Sequence, residues 1–413
     1  MAGRKERSGS DMKPLVRKLK IAHVTGWIHV GGKENGIVNL VNRMAPDIFE
    51  SHVYVFKAGG MLLQRIDRDK CRVVELGDQL GNDLSLYYKL FSLFRRHRIH
   101  LLHTRSWGTL LEGMIAAKMA RVPLIVHGEH GLIKDDSLQH VLIQRGLWRL
   151  ADRVVCVSEV LRDELIARIG FPRQNISVLT NGVAIENFDP AGRNDFRASL
   201  GLPDDVPLFG SIGRLVPVKN YPMLVRAAQL VIKELPQAHL VFIGDGPQRA
   251  QLEQLAQACG IAANVTILSW RKDVAKIYQA LDVFVLSSVS EGMSNSILEA
   301  MASRTAVVAT RVGGNSELVV HNETGFLVPS QDHAAMANVL LALLQNPRRC
   351  RQLGEAGRQR AEEYFSLEVM VRNYERMYLE VAARQLTFHP KLRERIDMHF
   401  GEEAGVNASA LMR

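Results

Sequence analysis

The chain has 413 residues, with 52 Lys and Arg against 43 Asp and Glu for a formal charge of +9, 47% hydrophobic and 23% charged residues. That length exceeds what one hydrophobic core usually supports, and the composition is that of a folded globular protein. No apolar run nears the roughly 20 residues of a membrane helix, and Met1 to Lys20 is basic without the apolar segment of a secretory signal, so a cytoplasmic protein is expected. Cys71, Cys156, Cys259 and Cys350 form no C-x-x-C pair, which argues against a zinc site or a disulfide framework.

From Leu19 onward, short β-branched runs alternate with helix-period segments, the pattern of βα units on a parallel sheet. The first series of predicted strands is Lys20–Thr25, His52–Phe56, Arg72–Leu76, Leu101–Thr104, Leu124–His127, Val154–Ser158 and Ile176–Leu179. Helices over Thr109–Ala120 and Glu159–Ile169 fall between them. A turn-rich stretch, 186–202, reads as a linker.

The second series is Leu208–Gly213, Leu240–Gly244, Val265–Leu268, Val283–Leu286, Ala306–Ala309 and Phe326–Val328, with helices over Tyr221–Glu234 and Pro247–Cys259. After Ser366, apolar side chains at Met370, Tyr374, Met377, Tyr378 and Val381 share one helical face. The expected division is a basic, poorly ordered tail over 1–17, a first domain over 18–185, the linker, and a second domain over 203–365. A helix over 366–385 returns to the first domain, and a flexible tail covers 386–413. Both domains are expected to be α/β and Rossmann-like, facing each other across a cleft.

Ligands of open parallel sheets bind beyond the carboxyl ends of the strands. After the first strand, Gly31-Gly32-Lys33-Glu34 can bring backbone amides to an anion, or can simply turn the chain. After Leu208–Gly213 stand Arg214 and Lys219, which can converge on a diphosphate, although solvated cations are the commoner reading. After Val283–Leu286 runs Ser290-Glu291-Gly292-Met293-Ser294-Asn295-Ser296-Ile297-Leu298-Glu299-Ala300, two carboxylates flanking a glycine loop and a helix start. Glu299 can be explained as a helix residue; Glu291 has no such structural reason.

These motifs, with Gly213-Arg214-x4-Lys219-Asn220, Gly244-Asp245-Gly246-Pro247 and Asn181-Gly182-Val183, resemble the retaining glycosyltransferases of family 4, of GT-B fold. The resemblance runs from about Leu19 to Ala382 and points toward the branch associated with bacterial exopolysaccharide clusters. It implies transfer of a sugar from a UDP- or GDP-linked donor to a glycan or lipid-linked acceptor, without metal or other cofactor and without nucleic acid.

Position by position, it implies that Arg214 and Lys219 bind the donor phosphates, with a backbone amide from Gly32. Glu299 is implied to hold the ribose, and Glu291 the transferred sugar. Gly244, Gly292, Met293, Ser294 and Asn295 complete the donor site. His127, in Val126-His127-Gly128-Glu129-His130-Gly131, matches the family's first-domain histidine; Glu34, Arg105, Glu129 and His130 are acceptor-side candidates. Ala184, Met293 and Ser294 depart from the common pattern, where Asp, Phe and Gly are usual.

Three other readings compete. A nicotinamide oxidoreductase lacks a complete G-x-G-x-x-G, since Arg249 stands where the third glycine after Gly244 and Gly246 is needed. A nucleotide-sugar isomerase of the same shape and a non-catalytic binding subunit are the alternatives. Clustered cations at Lys13–Lys20 and Arg95–Arg98, beside the apolar pattern Leu86, Leu90, Leu93 and Phe94, suggest peripheral contact with an anionic membrane at the inner face of the plasma membrane. Asp67-Arg68-Asp69 precedes a strand and reads as a turn, not as a metal-binding Asp-x-Asp.

Overall fold

The computed structural model describes residues 15–28, 31–77, 83–105, 107–131, 138–188 and 193–401. The first sheet has seven strands in the order β4-β3-β2-β5-β6-β7-β8. They are β2 (Leu19–Thr25), β3 (Phe49–Val55), β4 (Cys71–Glu75), β5 (Leu101–Arg105), β6 (Leu124–Glu129), β7 (Arg153–Cys156) and β8 (Ile176–Val178). Pairing of β2 with β3 and β5, and of β5 with β6, is parallel. The helices between these strands are α1 (Gly32–Arg43), α2 (Ser85–His97), α3 (Leu110–Ala120), α4 (Leu138–Trp148) and α5 (Glu159–Ile169).

The second sheet has six parallel strands in the order β11-β10-β9-β12-β13-β14. Its strands are β9 (Leu208–Ile212), β10 (His239–Ile243), β11 (Val265–Leu268), β12 (Val283–Leu286), β13 (Ala306–Thr310) and β14 (Phe326–Val328). Its core is continuous: Phe209, Leu240, Phe242, Val283, Val285 and Val308 pack against Leu224, Ala228 and Val231 of a helix over Tyr221–Glu234. In each sheet the strand order reverses at one place, between β2 and β5 in the first and between β9 and β12 in the second. Both sheets are therefore doubly wound, and each has one switch point where a crevice opens at the strands' carboxyl ends.

By its contacts the chain falls into two compact units: Met1–Gly128 with Gly146–Val154 and Arg372–Arg413, and Glu129–Arg145 with Val155–Val371. The stretch read as a linker is not plain coil where it is described. Helix α6 (Arg193–Ser199) buries Phe196 and Arg197. The wholly buried Arg197 donates to the Ala280, Asp204 and Val206 carbonyls and pairs with Asp282 at 2.9 Å. Residues 189–192 of that stretch lie outside the described residues.

The second unit continues with α7 (Tyr221–Glu234), α8 (Arg249–Ala258), α9 (Val274–Ala280), α10 (Asn295–Ala302), α11 (Asn315–Leu318), α12 (His333–Leu344) and α13 (Pro347–Phe365). Next comes α14 (Leu367–Ala383), whose stripe of Met370, Tyr374, Met377, Tyr378 and Val381 is buried as its spacing predicts. From Arg372 on, α14 belongs to the first unit. There Glu375 accepts from the Ala45 amide at 2.6 Å, and the Tyr378 hydroxyl meets His103 Nδ1 at 2.6 Å.

Two segments expected to be poorly ordered carry structure. β1 (Leu15–Val16) pairs in parallel with β15 (Thr387–Phe388), and α15 (Pro390–Phe400) follows. Leu386, Phe388, Leu392 and Ile396 are buried, so polar composition masks a thin apolar face that docks this segment. Residues 1–14 and 402–413 lie outside the described residues. The apolar pattern on α2 is also reassigned: Leu86, Leu90 and Phe94 are buried in the core. The membrane reading thereby loses its apolar face. Among the described residues no helix is long and apolar enough to cross a membrane.

Candidate functional site

At the switch point of the second sheet, the ends of β9 and β12 bring together two groups 72 residues apart in sequence. Lys219 closes a 3-10 turn, Pro217–Lys219, and Glu291 follows β12; Lys219 Nζ lies 2.6 Å from Glu291 Oε1. Both side chains are largely withdrawn from water, at 16% and 13% exposure. Ser288 Oγ donates to the same carboxylate oxygen at 2.7 Å, and Ser287 Oγ donates to the Lys219 carbonyl at 2.8 Å. The Val289 amide donates to the Val218 carbonyl at 2.9 Å, which ties the two loops together.

Arg214 is exposed just beyond β9. Its loop rests on a glycine shelf: a Cβ at Gly244 would stand 2.0 Å from the Gly213 carbonyl oxygen, and one at Gly246 2.4 Å from that of Leu215. Both glycines also hold positive φ, +149° and +158°, which a side chain would strain. Leu215 N donates to the Asp245 carbonyl at 2.9 Å. Gly244-x-Gly246 therefore sets where Arg214 emerges.

Helix α10 starts at this loop. Ser294, nearly buried, caps it by accepting the Ile297 amide, and Met293 Sδ lies 3.3 Å from the Asn181 amide. Glu299, one turn along, accepts from the Tyr278 hydroxyl of α9 at 2.9 Å. Burial pushes the Glu299 carboxyl up to about 7, against the lowering effect of the Tyr278 bond. Gly292 backs onto His130: a Cβ there would meet the His130 carbonyl oxygen at 2.3 Å. The Glu129 carboxylate turns back on its own loop and accepts the His130 amide at 3.0 Å.

One supporting segment was not singled out from sequence: Gly313-Gly314-Asn315, after β13. A Cβ on Gly313, where φ is +49°, would fall 1.6 Å from the Glu291 carbonyl oxygen. The Gly314 amide donates to the Gly292 carbonyl at 3.1 Å, and Asn315, fully buried, donates to the Thr310 carbonyl at 3.0 Å. Its signal was visible, since a Gly-Gly pair sits at the carboxyl end of a strand. Gly313→Ala is expected to cost about 1–3 kcal/mol of stability through strain and to lower kcat about tenfold by displacing Glu291. Thermal melting and steady-state kinetics on one preparation check this; unchanged kcat would show that the Glu291 backbone tolerates the shift.

In the first unit, Gly32 opens α1 and the Glu34 carboxylate folds back on Gly31, whose added Cβ would stand 2.3 Å from Glu34 Oε2. His127 is wholly buried; Thr104 Oγ1 lies 2.9 Å from its Nδ1, and Trp148 packs 5.3 Å from its ring. Arg105, the last residue of β5, is also buried. Asp67 and Asp69 lie in a turn before β4, where Asp67 accepts the Asp69 amide at 3.0 Å and is 3.8 Å from Lys70.

Residues 192–360 match the family model described as glycosyl transferases group 1, and residues 30–187 match that described as Glycosyltransferase Family 4. A D-inositol 3-phosphate glycosyltransferase of Nocardia farcinica is 32% identical over 335 residues, 76% of this chain and 72% of that protein. This chain belongs to the family 4 glycosyltransferases. An Escherichia coli relative, UDP-Gal:alpha-D-GlcNAc-diphosphoundecaprenol alpha-1,3-galactosyltransferase, is 29% identical over 349 residues, covering 80% of this chain and 89% of that protein. Anabaena HepE, crystallised with UDP and glucose, superposes with a TM-score of 0.77 at 22% identity, over 87% of this chain and 99% of that one. The GT-B fold follows, with its two Rossmann-like domains. The protein is a glycosyltransferase that uses a nucleotide sugar. Two cations, Arg214 and Lys219, and two carboxylates, Glu291 and Glu299, lie in the segments that follow β9 and β12 of the second sheet.

Proposed function

We propose that this chain is a retaining, metal-independent hexosyltransferase acting in the synthesis of bacterial exopolysaccharide or a related cell-surface glycan. The observation that carries the reading is the Lys219–Glu291 pair at the switch point of the second sheet. In the free protein each group neutralises the other. When a nucleotide sugar arrives, its diphosphate takes Lys219 and Arg214, and Glu291 is released to accept hydroxyls of the sugar. Glu299 takes the ribose.

Glu299 is held by Tyr278, and Glu291, once released by Lys219, is taken up by the sugar hydroxyls, so neither serves as a nucleophile toward the anomeric carbon. That favours transfer on one face of the sugar. The bond from the anomeric carbon to the diphosphate oxygen breaks, and the acceptor oxygen bonds to that carbon from the same side. The acceptor proton passes to the departing phosphate oxygen. Arg214, Lys219 and loop amides stabilise the leaving charge, which is the service a divalent cation provides elsewhere. The E. coli and Nocardia relatives are named for a lipid-linked sugar and an inositol phosphate as acceptors, which supports a glycan or lipid-linked acceptor here.

A thermal-shift panel of UDP- and GDP-hexoses identifies the donor, since a ligand at 100 times its Kd adds about 2.7 kcal/mol. With that donor, EDTA is expected to leave the transfer rate nearly unchanged, and proton NMR to show the donor's anomeric configuration kept in the product. Activity lost with EDTA and restored by Mg²⁺ or Mn²⁺, or an inverted product, would overturn the proposal.

A further inference from the structure

The switch point of the first sheet lies between β2 and β5, and those strands end in Thr25 and Arg105. Parallel pairing sets His23 beside His103 and Val24 beside Thr104. Thr25 and Arg105 come next on their strands, one residue past the last paired position. Side chains two residues apart on a strand share a face, so His23, Thr25, His103 and Arg105 form one polar layer. It is deeply buried, with Thr25 at 1% and Arg105 at 2% exposure.

This layer holds more donors than the protein uses. Thr25 Oγ1 and Arg105 Nε and Nη2 are buried without a hydrogen-bond partner. Nε and Nη2 lie along one edge of the guanidinium, the edge that grips an oxyanion through two parallel bonds. Among the described residues no carboxylate forms an ion pair with Arg105. Its neighbours are rings: Tyr374 lies 5.5 Å from the guanidinium carbon, and Tyr378 is near enough that Arg105 offsets part of the rise that burial imposes on its hydroxyl. His23 brings no second charge, because burial first and Arg105 second hold it well below the ordinary imidazole range. A buried cation left without a counter-ion is costly, since buried charges are ordinarily paired.

We propose that Thr25 and Arg105 form a binding site for a phosphate group carried by the acceptor substrate. The inference rests on the transferase reading above and names a property of its acceptor. Three donors on two strands suit the three free oxygens of a phosphate monoester better than the two of a carboxylate. The site would hold the acceptor at the first sheet's switch point, while the donor phosphates occupy that of the second.

The test uses the full chain carrying Arg214→Ala and Lys219→Ala, so that the donor site contributes little phosphate binding. Its melting is followed in sodium phosphate and in sodium chloride of equal ionic strength. Phosphate is expected to raise Tm by a few degrees, while acetate and glucuronate leave it unchanged. Adding Arg105→Met is expected to abolish the rise without lowering Tm in chloride, because an uncompensated buried charge has been removed. Adding Thr25→Val instead is expected to weaken the phosphate Kd about tenfold, and it decides the matter alone if the Arg105 variant does not fold. No rise with phosphate, an equal rise with acetate or glucuronate, or an undiminished rise in these variants overturns the proposal. None of these readouts needs sugar transfer, so their failure would leave the transferase reading standing.

Discussion

Glu291→Ala is expected to lower kcat by about 10²- to 10³-fold, the range seen when one preorganised polar group is removed from a transition state. Nucleotide affinity should hold or improve. In the free protein Lys219 is occupied by Glu291 at 2.6 Å, so an incoming diphosphate must displace a carboxylate before it gains the lysine. Without the carboxylate, that competition ends. Lys219→Ala has the opposite signature: it removes a phosphate partner and leaves Glu291 uncompensated beside the diphosphate, so nucleotide binding and kcat should fall together, kcat by about a hundredfold. In the double variant the costs should not add, because the two groups act on each other. Nucleotide Kd by calorimetry and single-turnover transfer for the four proteins complete the cycle. If Glu291→Ala loses nucleotide affinity as steeply as it loses transfer, the carboxylate is supporting the phosphate site and does not meet the sugar.

That pair also shows what the sequence can and cannot specify. Each strand of both sheets was legible, because a buried parallel strand is a short apolar, β-branched run closed by glycine or a polar turn, as in Val283–Leu286 before Ser287. Arg214, Lys219, Glu291 and Glu299 stood out because their loops follow such strands. Their partners did not. That Lys219 faces Glu291 depends on β9 lying next to β12, which strand order alone decides. The elements misread share a different cause. Around Arg197, turn-forming residues hide one guanidinium that holds together three carbonyls and Asp282. Around Leu392 and Ile396, a charged composition hides two apolar residues on one face of a helix. The acceptor-side candidates were chosen by position at strand ends, and no pattern in the sequence told Arg105, buried and missing acceptors, from an ordinary surface arginine.

Glu299→Gln is expected to stabilise the free protein above neutral pH while it weakens the nucleotide. The carboxyl ordinarily ionises near 4.5, and burial raises it to about 7 in the folded chain. Between those values the folded state keeps a proton that the unfolded state has released, so stability falls as pH rises through this window and levels off above it. The full shift corresponds to about 3 kcal/mol. That is an upper bound, since the side chain is only half-buried and water shares in solvating it. Glutamine carries no such titration. The variant should match the parent near pH 4 and exceed it at pH 8, where the parent holds an ionised carboxylate supported by Tyr278 at 2.9 Å. That ionised carboxylate is the acceptor that ribose hydroxyls need. Parent affinity for a nucleoside diphosphate should therefore rise with pH up to about 7, while the variant binds about tenfold more weakly at pH 8, as expected for replacing a charged hydrogen-bond acceptor by a neutral one. A terminal phosphate also ionises near pH 6, so the informative quantity is the difference between parent and variant at each pH. Melting curves and nucleotide Kd values from pH 5 to 8.5 supply it. A variant that loses stability at pH 8, or an affinity gap that stays constant across the range, would place the titrating group somewhere other than Glu299.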